Sequence, residues 1–171
     1  MPDTFIKIAS VTVGSGGASS IDFTSIPNTY TDLVIKLSGR SNAGGGGDWV
    51  GMKFNSSSTS YSSRWLEGTG SGTGSFTGAT NRGWLGVMNG AGSTSSTFSS
   101  LDIYIPNYAG SNNKSYSADA AQENNATAAT LELGAGLWSN TSAITSISII
   151  PDNSNSFVQY STATLYGIKN S

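Results

Sequence analysis

Apolar side chains recur at every second position in one short run after another. In TDLVIKLSG, Leu33, Ile35 and Leu37 share one face, while Asp32, Val34, Lys36 and Ser38 share the other. A period of two places alternate residues on opposite sides of a pleated strand; a helix would need a spacing of three or four. The same rhythm groups Val50 with Met52 and Phe54, Leu101 with Ile103 and Ile105, and Ile147 with Ile149. In ATLELGAGLW it predicts an inward set of Leu131, Leu133, Ala135 and Leu137, opposite Glu132, Gly134 and Gly136. Further strands are expected in FIKIASVTV, SSIDFTSI, NRGWLGVMN, NKSYSADAAQ and STATLYGIK, about ten in all. One helical turn is expected near Asp119 to Ala128, in an alanine-rich window.

Gly, Ser and Asn clusters separate these runs, the longest being the expected loop EGTGSGTGSFTGATNRG. Many short strands at such spacing predict an all-β fold, an antiparallel β-sandwich of jelly-roll-like form. A chain of 171 residues suits one such domain spanning residues 1–171. Ser, Thr, Asn and Gly supply about half of the chain, and only 11% is Asp, Glu, Lys or Arg. Disorder would fit that composition, but four Trp, seven Tyr and six Phe argue for a packed core beneath a hydroxyl- and amide-rich surface.

The reactive repertoire is thin. No cysteine or histidine is present, which removes disulfides, thiolate metal sites and histidine-dependent catalysis. Eight scattered basic residues and a net charge of −2 make nucleic acid an unsuitable partner. The run AGGGGD lacks the Lys-Ser/Thr of a phosphate-binding loop, and GRSNA ends in Ala43 where a nucleophile elbow needs glycine. Among the ten carboxylates, Asp119 and Glu123 form the one close pair outside a clean strand pattern, which a glycosidase would require. PDNSNS at 151–156 offers oxygen ligands without the spacing of a calcium loop, so a turn is expected there. No catalytic residue, cofactor or metal ligand is expected, and no enzymatic activity. No run is long and apolar enough to span a membrane as a helix. MPDTFIKIAS has no basic segment ahead of an apolar one, so synthesis in the cytoplasm is expected.

The segment FIKIASVTVGSGGASSIDFTSIPNTYTDLVIKLSGRS resembles a group of bacteriophage virion proteins, many from phages of marine and cyanobacterial hosts. The resemblance rests on Ile21, Phe23, Ile26, Pro27, Thr29, Tyr30, Asp32, Leu33, Arg40 and Ser41, and on a closing strand YSTATLYGIK. It implies a β-sandwich on the virion exterior, either a capsid decoration (cement) protein or a fibre-type protein. The expected partners are the major capsid protein and neighbouring subunits, with a homotrimer favoured. A host surface glycan is the alternative partner, for a fibre-tip module. In the motif, Pro27 would turn Tyr30 onto the sheet and Asp32 would accept turn hydrogen bonds. Expected partner contacts are Phe5 and Ile6 of the N-terminal segment and the aromatics Trp49, Trp65, Trp84 and Trp138. Trp49 and Trp138 fall on faces opposite the inferred apolar sets, which predicts exposure.

Overall fold

Leu33, Ile35 and Leu37 point into a shared interior and are all but inaccessible to water, as their alternation demands. The computed structural model describes residues 4–78, 80–125 and 129–169. Within them lie twelve strands and no helix. In chain order they are β1 (Phe5–Thr12), β2 (Ile21–Phe23), β3 (Asp32–Gly39), β4 (Gly47–Phe54), β5 (Tyr61–Gly68), β6 (Thr73–Thr77), β7 (Gly83–Asn89), β8 (Ser99–Ile105), β9 (Lys114–Gln122), β10 (Thr130–Trp138), β11 (Ile147–Pro151) and β12 (Thr162–Ile168).

Two antiparallel sheets pack face to face. The large one runs β1-β12-β3-β8-β9-β10-β5-β6 and the small one β2-β11-β4-β7. The chain crosses repeatedly between them, as jelly rolls do, but eight strands against four is an unequal division. Ten of the strands fall on the runs read from the sequence. β5 and β6 do not: part of the expected glycine loop is a hairpin, in which Trp65 pairs with Phe76 and Leu66 with Ser75. The expected helical turn fails over its described part, because Asp119 to Gln122 continue β9; residues 126–128 lie outside the described residues.

The core forms between Leu33, Ile35, Leu37, Leu101, Ile103, Ile105 and Leu165 on the large sheet and Ile21, Phe23, Val50, Met52, Phe54, Leu85, Ile147 and Ile149 on the small one, all buried. Burial of a Leu or Ile side chain contributes about 1.5–3 kcal/mol, so this layer is the main source of stability. The turns absorb the polar composition. Asn55, Asn107 and Asn153 sit at φ near +50°, a conformation that Asn tolerates better than most residues.

The motif around Pro27 is structural. The Tyr30 ring lies directly on the backbone of Gly167 in β12, where a Cβ would collide with it. Asp32 accepts from the Tyr104 hydroxyl at 2.8 Å and from the Asn107 amide at 2.9 Å, tying β3 to the turn after β8. The Tyr108 hydroxyl donates to the Pro27 carbonyl. Arg40 is buried at the end of β3, and its guanidinium donates to the carbonyls of Thr94 (2.8 Å), Thr97 (3.0 Å) and Ser93 (3.1 Å). It thereby organises the loop between β7 and β8.

Candidate interaction surface

β10 faces the opposite way from its sequence reading. Glu132 and Trp138 are buried, each 2% exposed, while Leu131 and Leu133 point outward at 64% and 58%. The cause lies beneath the strand. Gly134 and Gly136 leave the inward face without side chains, and the Tyr116 ring fills the space beside Gly136. The Leu set of β10 is consequently the outer face of the large sheet. Leu133 pairs there with Leu66 of β5, itself 62% exposed. A shallow groove of about 510 Å³ runs over this end of the sheet, lined by Arg64, Leu66, Phe76, Thr77, Leu133 and Ala135 among others. Three exposed leucines on neighbouring strands are a contiguous apolar patch, in a chain whose other strands hide their large aliphatics.

On the inner side of the same strands, three of the four tryptophans converge. Trp49 (β4) lies 5.1 Å from Trp65 (β5) and 5.7 Å from Trp84 (β7), centroid to centroid. Phe76 stacks on Trp65 at 5.6 Å. The Arg82 guanidinium sits 4.9 Å above Trp84 and pairs with Asp152 at 2.8 Å. The rings come from both sheets and cover one another, so the cluster fastens the small sheet to the β5–β6 end of the large one. Trp49, expected to be exposed, is half-buried in this cluster, as are Trp65 and Trp84.

Trp138 does not join them. It was expected to be exposed, but it packs in the core against Phe54 and Tyr61, and its Nε1 donates to Ser57. Its position follows from the inverted face of β10. Phe5 is 55% exposed on the edge strand β1 and packs edge-on against Tyr166, with Ile6 half-buried beside it. Phe5 and Ile6 therefore lie at the far edge of the large sheet from the tryptophan cluster.

The buried Glu132 has a defined task. β7 is the outer strand of the small sheet, and its edge lies against β9 and β10 of the large one. The Val87 amide on that edge donates to Glu132 Oε2 at 2.9 Å. Gly86 (φ +136°) permits the approach: a Cβ there would meet Ala120 and stand 2.7 Å from the carboxylate. Glu132 also faces Glu67, its direct neighbour on β5. Burial first, and the Glu67 carboxyl second, push the Glu132 carboxyl up to about 7.

Asp119 and Glu123 are not brought together as a catalytic pair. Asp119 is exposed on the outer face opposite Asp102, and the Glu123 carboxylate accepts from the amides of Asn124 and Asn125. In the 151–156 segment the Asn155 amide donates to the Asp152 carbonyl at 2.9 Å, closing the expected turn. Among the described residues, no group of three or more Asp, Glu, His or Cys is placed to hold a metal ion. The leucine patch escaped the sequence reading because alternation alone does not say which face is inward; the signal that could have found it was glycine at every second position opposite the leucines.

Comparison with protein-family models, curated proteins and solved structures finds no match for this chain.

Proposed function

We propose that the chain is a structural protein of a bacteriophage particle, a decoration or cement protein that binds the outer face of the major capsid protein and stabilises the shell. The virion setting rests on the sequence resemblance. The single observation that supports a contact role is the patch of Leu66, Leu131 and Leu133, three largely exposed leucines on the outer face of the large sheet. Covering such leucines with a neighbouring subunit removes apolar surface from water, at ~25 cal/mol per Å². A stable interface of ~1,600 Å² would extend well beyond them, and repeated copies on a shell add avidity. The half-exposed Phe5 gives the opposite edge of the sheet a second place to touch a neighbour.

The test is co-sedimentation with empty capsids of the parent phage. Replacing Leu66, Leu131 and Leu133 together by Ser leaves the core untouched and is expected to abolish binding while far-UV circular dichroism stays unchanged. Undiminished capsid occupancy by that variant would refute the role of the patch.

A fibre-tip module that binds glycans is the second reading. The observation favouring it is a polar groove of about 470 Å³, lined by Lys53, Asn81, Arg82, Asp152 and Asn155, beside the tryptophan cluster. It predicts glycan-array signals that vanish in Trp84→Ala and Arg82→Ala.

A further inference from the structure

Open sheet edges are dangerous because unpaired N–H and C=O groups invite another strand, and proteins normally protect them. This sandwich has four. β1 carries a bulge between Lys7 and Ala9 and a lysine on the edge itself. β2 is only three residues long. β7 is covered by the large sheet, with the Val87 amide held by Glu132. β6 has none of these devices. It is five residues of TGSFT, regular in its register with β5, without charge, proline or bulge, and almost wholly exposed.

We infer that β6 is a self-association edge, pairing antiparallel with β6 of a second copy about a two-fold axis at Ser75. The sequence of the strand selects a second copy as its occupant. Centring on Ser75 sets Thr73 opposite Thr77 of the other chain and Gly74 opposite Phe76, twice by symmetry. Thr–Thr pairs are favourable across antiparallel strands, and an aromatic ring covers the bare backbone of a facing glycine. Phe76, 43% exposed in the single chain, already leans over its own Gly74 and gains a second glycine to cover. No like charges meet, because the strand has none. The result is one continuous sheet running through two copies, an isologous contact. It gives dimers where the sequence reading favoured a trimer. The pairing leaves the patch of Leu66, Leu131 and Leu133 on the outer face free, so this inference does not rest on capsid binding.

Cysteine trapping tests it cleanly, since the chain has no cysteine of its own. Under mild oxidation Ser75→Cys is expected to give a disulfide-linked dimer. Thr73→Cys alone and Thr77→Cys alone are expected to stay uncrosslinked, and the two mixed to crosslink as a heterodimer. Light scattering should show a mass rising to two chains with concentration. Ser75→Lys should weaken that dimer about fivefold or more by setting like charges face to face, with the melting curve unchanged at dilutions where both proteins are monomers. A mass of one chain at every concentration, or crosslinking of Thr73→Cys as efficient as that of Ser75→Cys, would overturn the inference. Dimers that ignore capsids would sink the decoration reading alone; monomers that bind capsids would sink this one alone.

Discussion

Replacing Glu132 by Gln should make the protein more stable at neutral and alkaline pH, although it removes a carboxylate that holds a backbone amide. Gln keeps an oxygen for the Val87 amide and offers an NH₂ to Glu67, but it carries no charge into the space between the sheets. In the native chain the Glu132 carboxyl is pushed up to about 7 from an ordinary value of 4.5. Between those two values the folded chain keeps a proton that the unfolded chain releases. Its stabilising effect is therefore complete below pH ~4.5 and is lost as pH rises through about 7. At 1.36 kcal/mol per unit, the loss amounts to ~3 kcal/mol. The Gln variant does not titrate at this position. It should match the native chain near pH 4.5 and exceed it by ~3 kcal/mol at pH 8, or about 6–12 °C in melting temperature for a domain of this size. Urea unfolding followed by tryptophan fluorescence at pH values from 4.5 to 8.5 reads the difference directly. Burial raises the Asp48 carboxyl too, but that contribution is common to both proteins and cancels. A native-minus-variant difference that stays flat across this range, or that favours the native chain at pH 8, would refute the account of Glu132 as a buried, proton-holding clasp.

Other perturbations probe the remaining joints. Arg40→Ala strands the carbonyls of Ser93, Thr94 and Thr97 and should cost about 3 kcal/mol, with protease cleavage appearing first between residues 90 and 98. Gly86→Ala forces a Cβ against Ala120 and Glu132 and should lower stability by about 3 kcal/mol, readable as a shifted urea midpoint at unchanged slope. Asp32→Ala removes the acceptor shared by Tyr104 and Asn107; a loss of about 1–3 kcal/mol is expected, accompanied by faster amide exchange at Asn107.

Where alternation met a plain aliphatic face, the strand and its orientation were legible. Leu33, Ile35 and Leu37, or Leu101, Ile103 and Ile105, have no other way to be buried together. β10 shows the limit of that reasoning. Its leucines satisfy the period, yet they lost the interior to Glu132, Gly134, Gly136 and Trp138. That choice depends on the Val87 amide needing an acceptor and the Tyr116 ring needing room, and both partners are remote in sequence. β5 and β6 were obscured differently. Their hairpin holds few β-branched apolar residues, and its stability derives from Trp65, Phe76 and the neighbouring β10. The convergence of Trp49, Trp65 and Trp84 was equally invisible, because those residues belong to three strands in two sheets. The exposed patch was thus not legible: two of its leucines, Leu131 and Leu133, were expected inside, and Leu66 lay outside any expected strand, while Trp49, Trp65 and Trp84 gather into one cluster that fastens the two sheets.

One feature of the strand order bears on how the molecule comes into being. β12, the last strand, is inserted between β1 and β3, two of the earliest. While the ribosome is still threading out residues 13–161, β1 has no strand to pair with and one flank of β3 is bare. The sheet cannot be completed progressively; it must wait for its final stitch. A nascent chain stalled before Thr162 would hold a partly built sandwich with a gap near one end, and a peptide of β12 supplied in trans should be able to fill it.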